Sequence, residues 1–237
     1  MIKHFFTSDL HLGHEGIFRH CNTTRCHMAV GNDQEIYTSE VDPNFRFSRA
    51  SIENHDTMII DSINTDVDAE GTVLWILGDF SLSRSTDVIR NYRNRINCKD
   101  VRLIWGNHDD GHAVVHSGAF AGMYESTFLL IDPTTGNFLT SDQWRVCCGS
   151  GFARKLLQKK STHRIQLSHY AHATWWHSKK GSYHFYGHTH GTMEQWRRVH
   201  LPNAQCADVG WDIFNRAMPL QDLLTLYRRT KPNTPDN

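Results

Sequence analysis

Residues 2 to 11 read Ile-Lys-His-Phe-Phe-Thr-Ser-Asp-Leu-His, in which a short apolar run leads directly into an acid and an imidazole two positions apart. A run of this length, rich in aromatic and β-branched residues, predicts a buried β-strand, here over Ile2 to Thr7. Asp9 and His11 then fall in the first residues after that strand. This junction between a buried strand and metal-ligating side chains recurs along the chain, and it determines the fold prediction.

Four more apolar runs predict buried strands that each end in polar residues. These runs are Thr72 to Leu77, Val101 to Trp105, Arg164 to Leu167 and Tyr183 to Tyr186. The residues that follow them are Gly78-Asp79, Gly106-Asn107-His108-Asp109, Ser168-His169 and Gly187-His188-Thr189-His190. Because ligands of open α/β sheets bind outside the carboxyl ends of the strands, we expect these side chains to converge on one site.

Helices are predicted between the strands. Apolar residues recur at helical spacing over Ile52 to Ile63, and again over Val88 to Ile96 behind a suitable N-cap residue, Ser85. Strands that alternate with helices predict an α/β layered core. A chain of 237 residues suits one such domain, which we place at residues 1–227, with a flexible polar tail at 228–237.

Two stretches, near residues 22–47 and 111–163, interrupt the alternation and are interpreted as insertions. Within the second, Glu125 to Ile131 and Phe138 to Val146 flank the turn-forming residues 132–136, a pattern typical of a β-hairpin. The basic segment Arg154 to Lys160 follows and is expected to be helical.

The composition excludes several classes of protein. Hydrophobic residues make up 39% of the chain and charged residues 21%, which is ordinary for a globular protein. The 25 basic and 25 acidic residues cancel, so no long-range field collects nucleic acid or acidic membrane. No apolar run approaches the roughly 20 residues of a membrane helix, and the first residues lack the apolar stretch of a signal peptide. We therefore expect a cytoplasmic protein without membrane contact.

The cysteines do not predict disulfides. All six are scattered without a regular framework or paired Cys-x-x-Cys units, so reduced thiols are expected. Cys21 and Cys26, together with His20 and His27, offer a small zinc site as a minor alternative, although a well-spaced second ligand pair is missing.

The unusual feature of the composition is 17 histidines, since imidazole is the commonest side-chain ligand of transition metals. Two divalent ions about 3.5 to 4 Å apart need a bridging carboxylate, and together they clamp the attacking and leaving oxygens of an in-line displacement. Asp79 is the candidate for that bridge. The glycine before Asp79, and those before Asn107 and His188, would let the backbone turn sharply at the strand ends.

The ordered set Asp-x-His, Gly-Asp, Gly-Asn-His-Asp, an isolated His and Gly-His-x-His resembles the metallophosphoesterase (calcineurin-like) superfamily. The resemblance covers roughly residues 1–21, 52–109 and 164–224. It is closest to small bacterial and phage phosphoesterases, which share the motifs found here at Ser8 to His14 and Leu167 to Tyr170. The sequence differs from Ser/Thr protein phosphatases after Gly78-Asp79, which argues against a phosphoprotein substrate. The resemblance implies an α/β sandwich of two mixed β-sheets flanked by helices.

The resemblance also implies which residues bind each of two metal ions. One ion would be held by Asp9, His11, Asp79 and His190, and the other by Asp79, Asn107, His169 and His188. Manganese is expected, with Fe, Zn or Ni as alternatives that suit the same donors. His108, next to a proposed ligand, is the candidate general acid, and Asp109 the carboxylate that holds its imidazole. His14 and Tyr170 are candidates for substrate contact.

We therefore expect hydrolysis of a phosphoester by metal-activated hydroxide, with a nucleotide or a nucleic-acid-derived phosphodiester as substrate. Two alternatives stay open: a phosphomonoesterase acting on a small nucleotide or sugar phosphate, and a catalytically silent metal-binding scaffold. The aromatic stretch Tyr170 to His177 suits either base stacking or packing. The basic run Arg154 to Lys160, with Lys179 and Lys180, suits either a phosphate chain or a solvated surface. Asp208 to Asp212 is interpreted as a closing strand that carries a carboxylate supporting a ligand.

Overall fold

All five apolar runs form β-strands whose bounds lie within one residue of those predicted. A computed structural model describes residues 1–30, 32–42, 44–146 and 151–228 of the chain. In it the strands belong to two five-stranded sheets.

The first sheet has the strand order β10-β1-β2-β3-β4. Its strands are β1 (Lys3–Thr7), β2 (Thr72–Ile76), β3 (Asp100–Ile104), β4 (Gly122–Tyr124) and β10 (Met218–Pro219). Strands β1 to β4 are parallel, with Phe5 opposite Leu74 and Leu74 opposite Val101, and β10 is antiparallel to β1. The carboxyl ends of β1, β2 and β3 therefore lie side by side.

The second sheet has the strand order β6-β5-β7-β8-β9. Its strands are β5 (Ser126–Ile131), β6 (Phe138–Leu139), β7 (His163–Ser168), β8 (Tyr183–Tyr186) and β9 (Cys206–Asp208). Strands β7, β8 and β9 are parallel, whereas β5 is antiparallel to both of its neighbours. Both sheets are thus mixed, which confirms the predicted α/β class with two mixed sheets.

Helices flank the sheets. Those of the first half are α1 (Ile17–His20), α2 (Asn22–Arg25), α3 (Asn32–Val41), α4 (Arg49–Asp66) and α5 (Thr86–Arg95). Those of the second half are α6 (Gly111–Ser117), α7 (Ser141–Val146), α8 (Gly151–Gln158), α9 (Glu194–His200), α10 (Trp211–Phe214) and α11 (Leu220–Leu226). Short 3-10 turns occupy Cys26–Met28 and Ser178–Lys180. The predicted cap of α5 is confirmed, because the Ser85 side chain accepts a hydrogen bond from the Val88 backbone N–H.

The core lies on both faces of the first sheet because successive strand residues point to opposite sides. On one face, Phe6 and Trp75 pack against the second sheet, where Ile165 and Phe185 are equally buried. On the other face, Phe5, Leu74 and Ile76 pack with apolar residues of the helices, which include Ile59, Ile60, Ile63 and Ile89. The near-continuous apolar strands of the sequence are explained by this burial on two sides.

The stretch near 111–163, interpreted from the sequence as an insertion, supplies strands to both sheets. Strand β4 is the edge of the first sheet, and β5 pairs along its whole length with β7. The predicted hairpin is present as β5 and β6, but its second strand ends at Leu139. The extension of that strand to Val146 was wrong, because residues 141–146 form helix α7, whose first backbone donor is held by the Thr127 hydroxyl.

Other predictions fall partly outside the described residues. Cys147, Cys148 and residues 229–237 lie there, whereas Cys21, Cys26, Cys98 and Cys206 are free thiols, as expected. None of the described helices is long and apolar enough to cross a membrane.

Candidate metal centre

The predicted ligands lie together, at one edge shared by the two sheets. Strands β1, β2 and β3 of the first sheet and β7 and β8 of the second all end there. A parallel bridge between Ser8 and Gly210 joins the two sheets just beyond β1 and β9. The loops that follow five separate strands therefore face one another across this joint.

The backbone at this edge adopts an unusual conformation. Asp9, His11, Asp79, His188 and His190 have φ values of 57°, 50°, 52°, 67° and 47°, in the left-handed region. Non-glycine residues rarely adopt that region, and each such residue costs of order 1 kcal/mol or more. Only two other non-glycine residues in the described part of the chain share it. Backbone strain of this kind clusters at functional sites, which makes this edge of the sheets the candidate site.

The donors form two groups, and each group draws on both sheets. In the first, ligand atoms of Asp9, His11 and His190 all lie within 4.8 Å of one another. In the second, those of Asp79, His169 and His188 do the same. Asp9, His11 and Asp79 follow strands of the first sheet, whereas the remaining three histidines follow strands of the second.

Asp79 lies between the two groups. Its Oδ2 is 3.6 Å from Nε2 of His11 and 3.5 Å from Nε2 of His169. Its Oδ1 accepts a hydrogen bond of 2.9 Å from the backbone N–H of His108. Asn107 adds a neutral oxygen on the side of the second group, because its Oδ1 is 3.1 Å from Nε2 of His169.

Two of the donor imidazoles are oriented by a partner at Nδ1. Nδ1 of His169 donates to the carbonyl of Leu77 at 2.7 Å, and Nδ1 of His190 lies 2.7 Å from the Asp212 carboxylate. Among the described residues, Nε2 of His11 is buried and has no hydrogen-bond partner. Buried polar atoms are rarely left unpaired, and outer partners of this type orient metal-binding histidines. These donors fit divalent cations.

Burial and neighbouring charges set the ionisation of the donors. Burial alone would raise the pKa of Asp79, but hydrogen bonds from His169 and the His108 backbone lower it to about 2. Burial lowers the pKa of His11 to about 2, so this ring is neutral at pH 7. Burial raises the pKa of Asp9 to about 7, which a nearby cation would reverse by stabilising the carboxylate. Burial alone would lower the pKa of His169 and His190, but their hydrogen bonds with Asp79 and Asp212 raise both, for His190 to about 10. A bound cation would displace these protons, because metal-binding imidazoles are neutral.

Arg25 supports the site from beneath and was missed by the sequence interpretation. It is fully buried, and its guanidinium binds both oxygens of Asp212 at 2.7 Å and the backbone carbonyl of Asp9 at 2.7 Å. It also contacts Nε2 of His55 at 2.9 Å, and His55 in turn contacts Asp56 at 2.9 Å. One sequence signal was present: His55 and Asp56 occupy core-facing helical positions between Ile52 and Ile59.

Cys21 contributes to the same support, and the alternative zinc site does not form around it. Its Sγ is 3.3 Å from Nδ1 of His190, and it groups with His190 and Asp212 instead of with Cys26. The carboxylate expected between residues 208 and 212 is therefore Asp212, which orients His190. Asp208 holds the adjacent loop by accepting hydrogen bonds from the Gly191 and Gly210 backbone at 3.1 and 2.8 Å.

Asp109 does not hold His108, which corrects the sequence prediction. Both of its oxygens accept hydrogen bonds from backbone N–H groups, of Gly106 at 2.9 Å, Asp79 at 3.0 Å and Phe80 at 2.9 Å. Adjacent side chains at a strand end point in different directions, and here the acid points into the loops while His108 points outward. Asp109 is therefore a positioning residue that fastens the loop after β3 to the loop after β2.

The glycines act in two different ways. Gly78 has a φ of 101°, so the predicted sharp turn is present before Asp79. At Gly106 the reason is close approach instead, since a Cβ there would lie 2.2 Å from Oδ1 of Asp79.

Three further predicted residues surround the donors on the solvent side. The exposed His108 ring lies 5.3 Å from the His11 ring, and Nδ1 of His14 is 3.3 Å from Nδ1 of His11. The Tyr170 ring is 47% exposed and lies 4.7 Å from the ring of His188. All three are within reach of a molecule bound at the donors.

Asp212→Asn is expected to weaken Mn²⁺ binding by about 10- to 100-fold, because the carboxylate that orients His190 is lost. Titration of the metal-free protein with Mn²⁺ measures this change. Asp222→Asn, an exposed substitution on α11, is the matched control and should bind as the wild type does. Wild-type affinity in a folded Asp212→Asn protein would show that Asp212 serves only Arg25.

Comparisons with known proteins give a fold likeness and no family. No family model matches the sequence, and no curated protein matches it. The structure is similar to the crystal structure of AQ665, a protein of unknown function from Aquifex aeolicus, with a TM-score of 0.54 and 15% identity. The alignment covers 94% of this chain and 98% of that chain. At this identity the likeness concerns the fold alone.

Proposed function

We propose that this chain is a two-metal phosphoesterase of the calcineurin-like type, acting on a nucleotide or a nucleic-acid-derived phosphodiester. The observation that carries the proposal is the position of Asp79, whose Oδ2 lies 3.6 Å from His11 and 3.5 Å from His169. A carboxylate between two imidazole-containing donor groups suits the shared ligand of paired divalent ions. The strained backbone at five of the donors supports a functional reason for this arrangement.

The proposal assigns two overlapping sets of side chains to the ions. The first set is Asp9, His11, Asp79 and His190, and the second is Asp79, Asn107, His169 and His188. When bound, such ions supply polarisation of the phosphoryl oxygens and activation of water. Manganese is proposed, with Fe, Zn or Ni as alternatives, since mixed imidazole and oxygen donors suit all four.

The remaining residues act on the substrate itself. His108 is exposed at the rim of the donors. Asp109 binds backbone N–H groups and not the His108 ring, so this ring can donate a proton to the leaving oxygen. Burial lowers the pKa of His14 to about 4, so this ring is neutral at pH 7 and contacts substrate as a hydrogen-bonding group. Tyr170 lies over His188 and limits the substrate position from the other side.

Charge balance favours a diester over a monoester. Two dications, set against Asp9, Asp79 and one hydroxide, leave about one net positive charge, which a diester monoanion balances and a monoester dianion exceeds. We expect the Mn²⁺-reconstituted protein to hydrolyse an aryl phosphodiester faster than the matched monoester at equal concentration.

Initial rates on bis-nitrophenyl phosphate and nitrophenyl phosphate, each with and without Mn²⁺, test both the function and the preference. A monoester preference of about tenfold or more would favour the phosphomonoesterase alternative. Tight metal binding without turnover of either ester would favour the silent scaffold.

A further inference from the structure

A second charged site lies at the far end of the second sheet. A pocket of about 320 Å³ opens at the start of β7 and β8, whereas His169 and His188 follow the carboxyl ends of these strands. Four cationic side chains line it, namely Lys160, Arg164, Lys180 and Arg228. None of its described lining residues is acidic. In a chain whose charges cancel overall, this is a marked local excess of positive charge.

These four cations form no ion pair with a carboxylate in the described part of the chain. The neighbouring Lys159 pairs with Asp132 at 3.2 Å, outside the pocket. Arg164 is held in place by donating to the backbone carbonyls of Leu157 at 3.0 Å and Thr162 at 3.2 Å, which leaves its charge uncompensated. A cation that is fixed and unpaired, such as Arg164, is suited to an anion because little ordering of its side chain is needed on binding.

The loop 169–182 connects this pocket with the candidate metal centre. It begins after the end of β7 and returns to the start of β8, and because these strands are parallel it spans the sheet, roughly 20 Å for strands of this length. Tyr170 and Trp176 are 47% and 41% exposed along it, and the Trp176 ring stacks on His177 at 3.8 Å. Trp176 and His177 line a smaller cavity that shares Arg164 and Lys180 with the basic pocket.

We propose that the basic pocket binds phosphates of a single-stranded nucleic acid that extends along loop 169–182 to the candidate metal centre. That this nucleic acid is also the substrate rests on the proposed function, which requires one of its phosphodiester bonds to reach the donors. Aromatic faces stack bases without regard to sequence while cations follow the backbone, and this loop offers the two in succession. A duplex fits less well because its bases are already stacked and paired.

The test removes three exposed cations of the pocket together, as Lys160→Ala, Lys180→Ala and Arg228→Ala, and keeps Arg164 for its structural bonds. The probe is a fluorescein-labelled phosphorothioate thymidine strand of about ten nucleotides, which resists cleavage, and anisotropy reports its binding to the Mn²⁺-loaded protein. Affinity at low salt should fall at least about tenfold. The slope of log affinity against log salt is negative and should become shallower by about 2, since each phosphate contact of a single strand contributes roughly 0.7 to its magnitude.

A control variant loses the same net charge elsewhere. Lys3→Ala, Arg49→Ala and Lys99→Ala remove exposed cations that are each paired with a carboxylate, at 2.7, 2.8 and 2.6 Å. Its affinity for the nucleic acid should stay within about threefold of the wild type, because these cations lie outside the pocket and each is already offset by a carboxylate. Equal affinity losses in both variants, or tighter binding of a duplex of the same length, would overturn the proposal.

Hydrolysis of the aryl phosphodiester separates this proposal from the proposed function. That substrate is far shorter than the roughly 20 Å between the sites, so the pocket variant should hydrolyse it at the wild-type rate. Pocket-dependent strand binding by a protein that hydrolyses no aryl ester would support the pocket and refute the phosphoesterase. If the protein hydrolyses the aryl ester but binds the nucleic acid equally well without the pocket cations, the phosphoesterase is supported and the pocket proposal is refuted.

Discussion

Removal of divalent metal is expected to abolish the proposed hydrolysis of aryl phosphodiesters, and Mn²⁺ is expected to restore more activity than Mg²⁺. The donors cluster around Asp79, where bound ions would activate water. Mg²⁺ prefers octahedral oxygen ligands, whereas histidines supply four of the seven proposed ligands here. Rates after dialysis against EDTA, and after addition of each ion, measure the effect.

Elemental analysis of the dialysed protein is the necessary control, since tightly held ions survive mild chelation. Full activity in protein shown to be metal-free would end the two-metal proposal. Asp79→Asn is the genetic counterpart, because it removes charge between the two donor groups and should leave fewer than two ions per chain. His14→Ala is its matched variant and should retain both ions, since His14 belongs to neither donor group.

His108→Ala is expected to slow hydrolysis of a diester with a poor leaving group by about 10²- to 10⁴-fold, the usual contribution of general acid catalysis. A departing alkoxide is strongly basic and needs a proton as the bond breaks, whereas a nitrophenolate does not. The loss on an alkyl diester should therefore greatly exceed the loss on the nitrophenyl diester. Steady-state rates on both substrates, together with metal content, measure the difference.

The alternative for His108 is a purely structural role in the loop after β3. Its backbone N–H donates to Asp79, and that bond survives the substitution. Because the ring is exposed, truncation to alanine should change thermal stability little. Equal rate losses on both diesters at unchanged metal content would remove His108 from the acid role.

The strands and the convergence of the ligands followed from the sequence because each buried run ends directly at a polar motif. The fit of β5 into the second sheet did not follow, since an antiparallel strand after a short edge strand leaves no local signal of its partner. The pairing of β5 with β7 joins segments far apart in the chain, and it depends on the core that both strands share.

The roles of the buried charges were also beyond the sequence. Asp109 stands next to His108 in the chain, yet three backbone donors from two loops satisfy it, and backbone donors carry no residue-specific signature. Arg25 lies in a stretch interpreted as an insertion, although its guanidinium fastens Asp9 and Asp212. Such contacts become visible only when the path of the backbone is known.

The two donor groups each take ligands from both layers of the sandwich, so a bound ion would act as a cross-link between these layers. Apolar packing, a short bridge and hydrogen bonds such as that from His169 to Leu77 also join them. By mass action, ions present at about a thousand times their dissociation constant add roughly 4 kcal/mol to the stability of the assembled state. Opening the sandwich at this edge then requires releasing metal. Metal binding should therefore slow amide hydrogen exchange at the ends of β1, β2, β7 and β8, and the exchange rates in both layers should fall together.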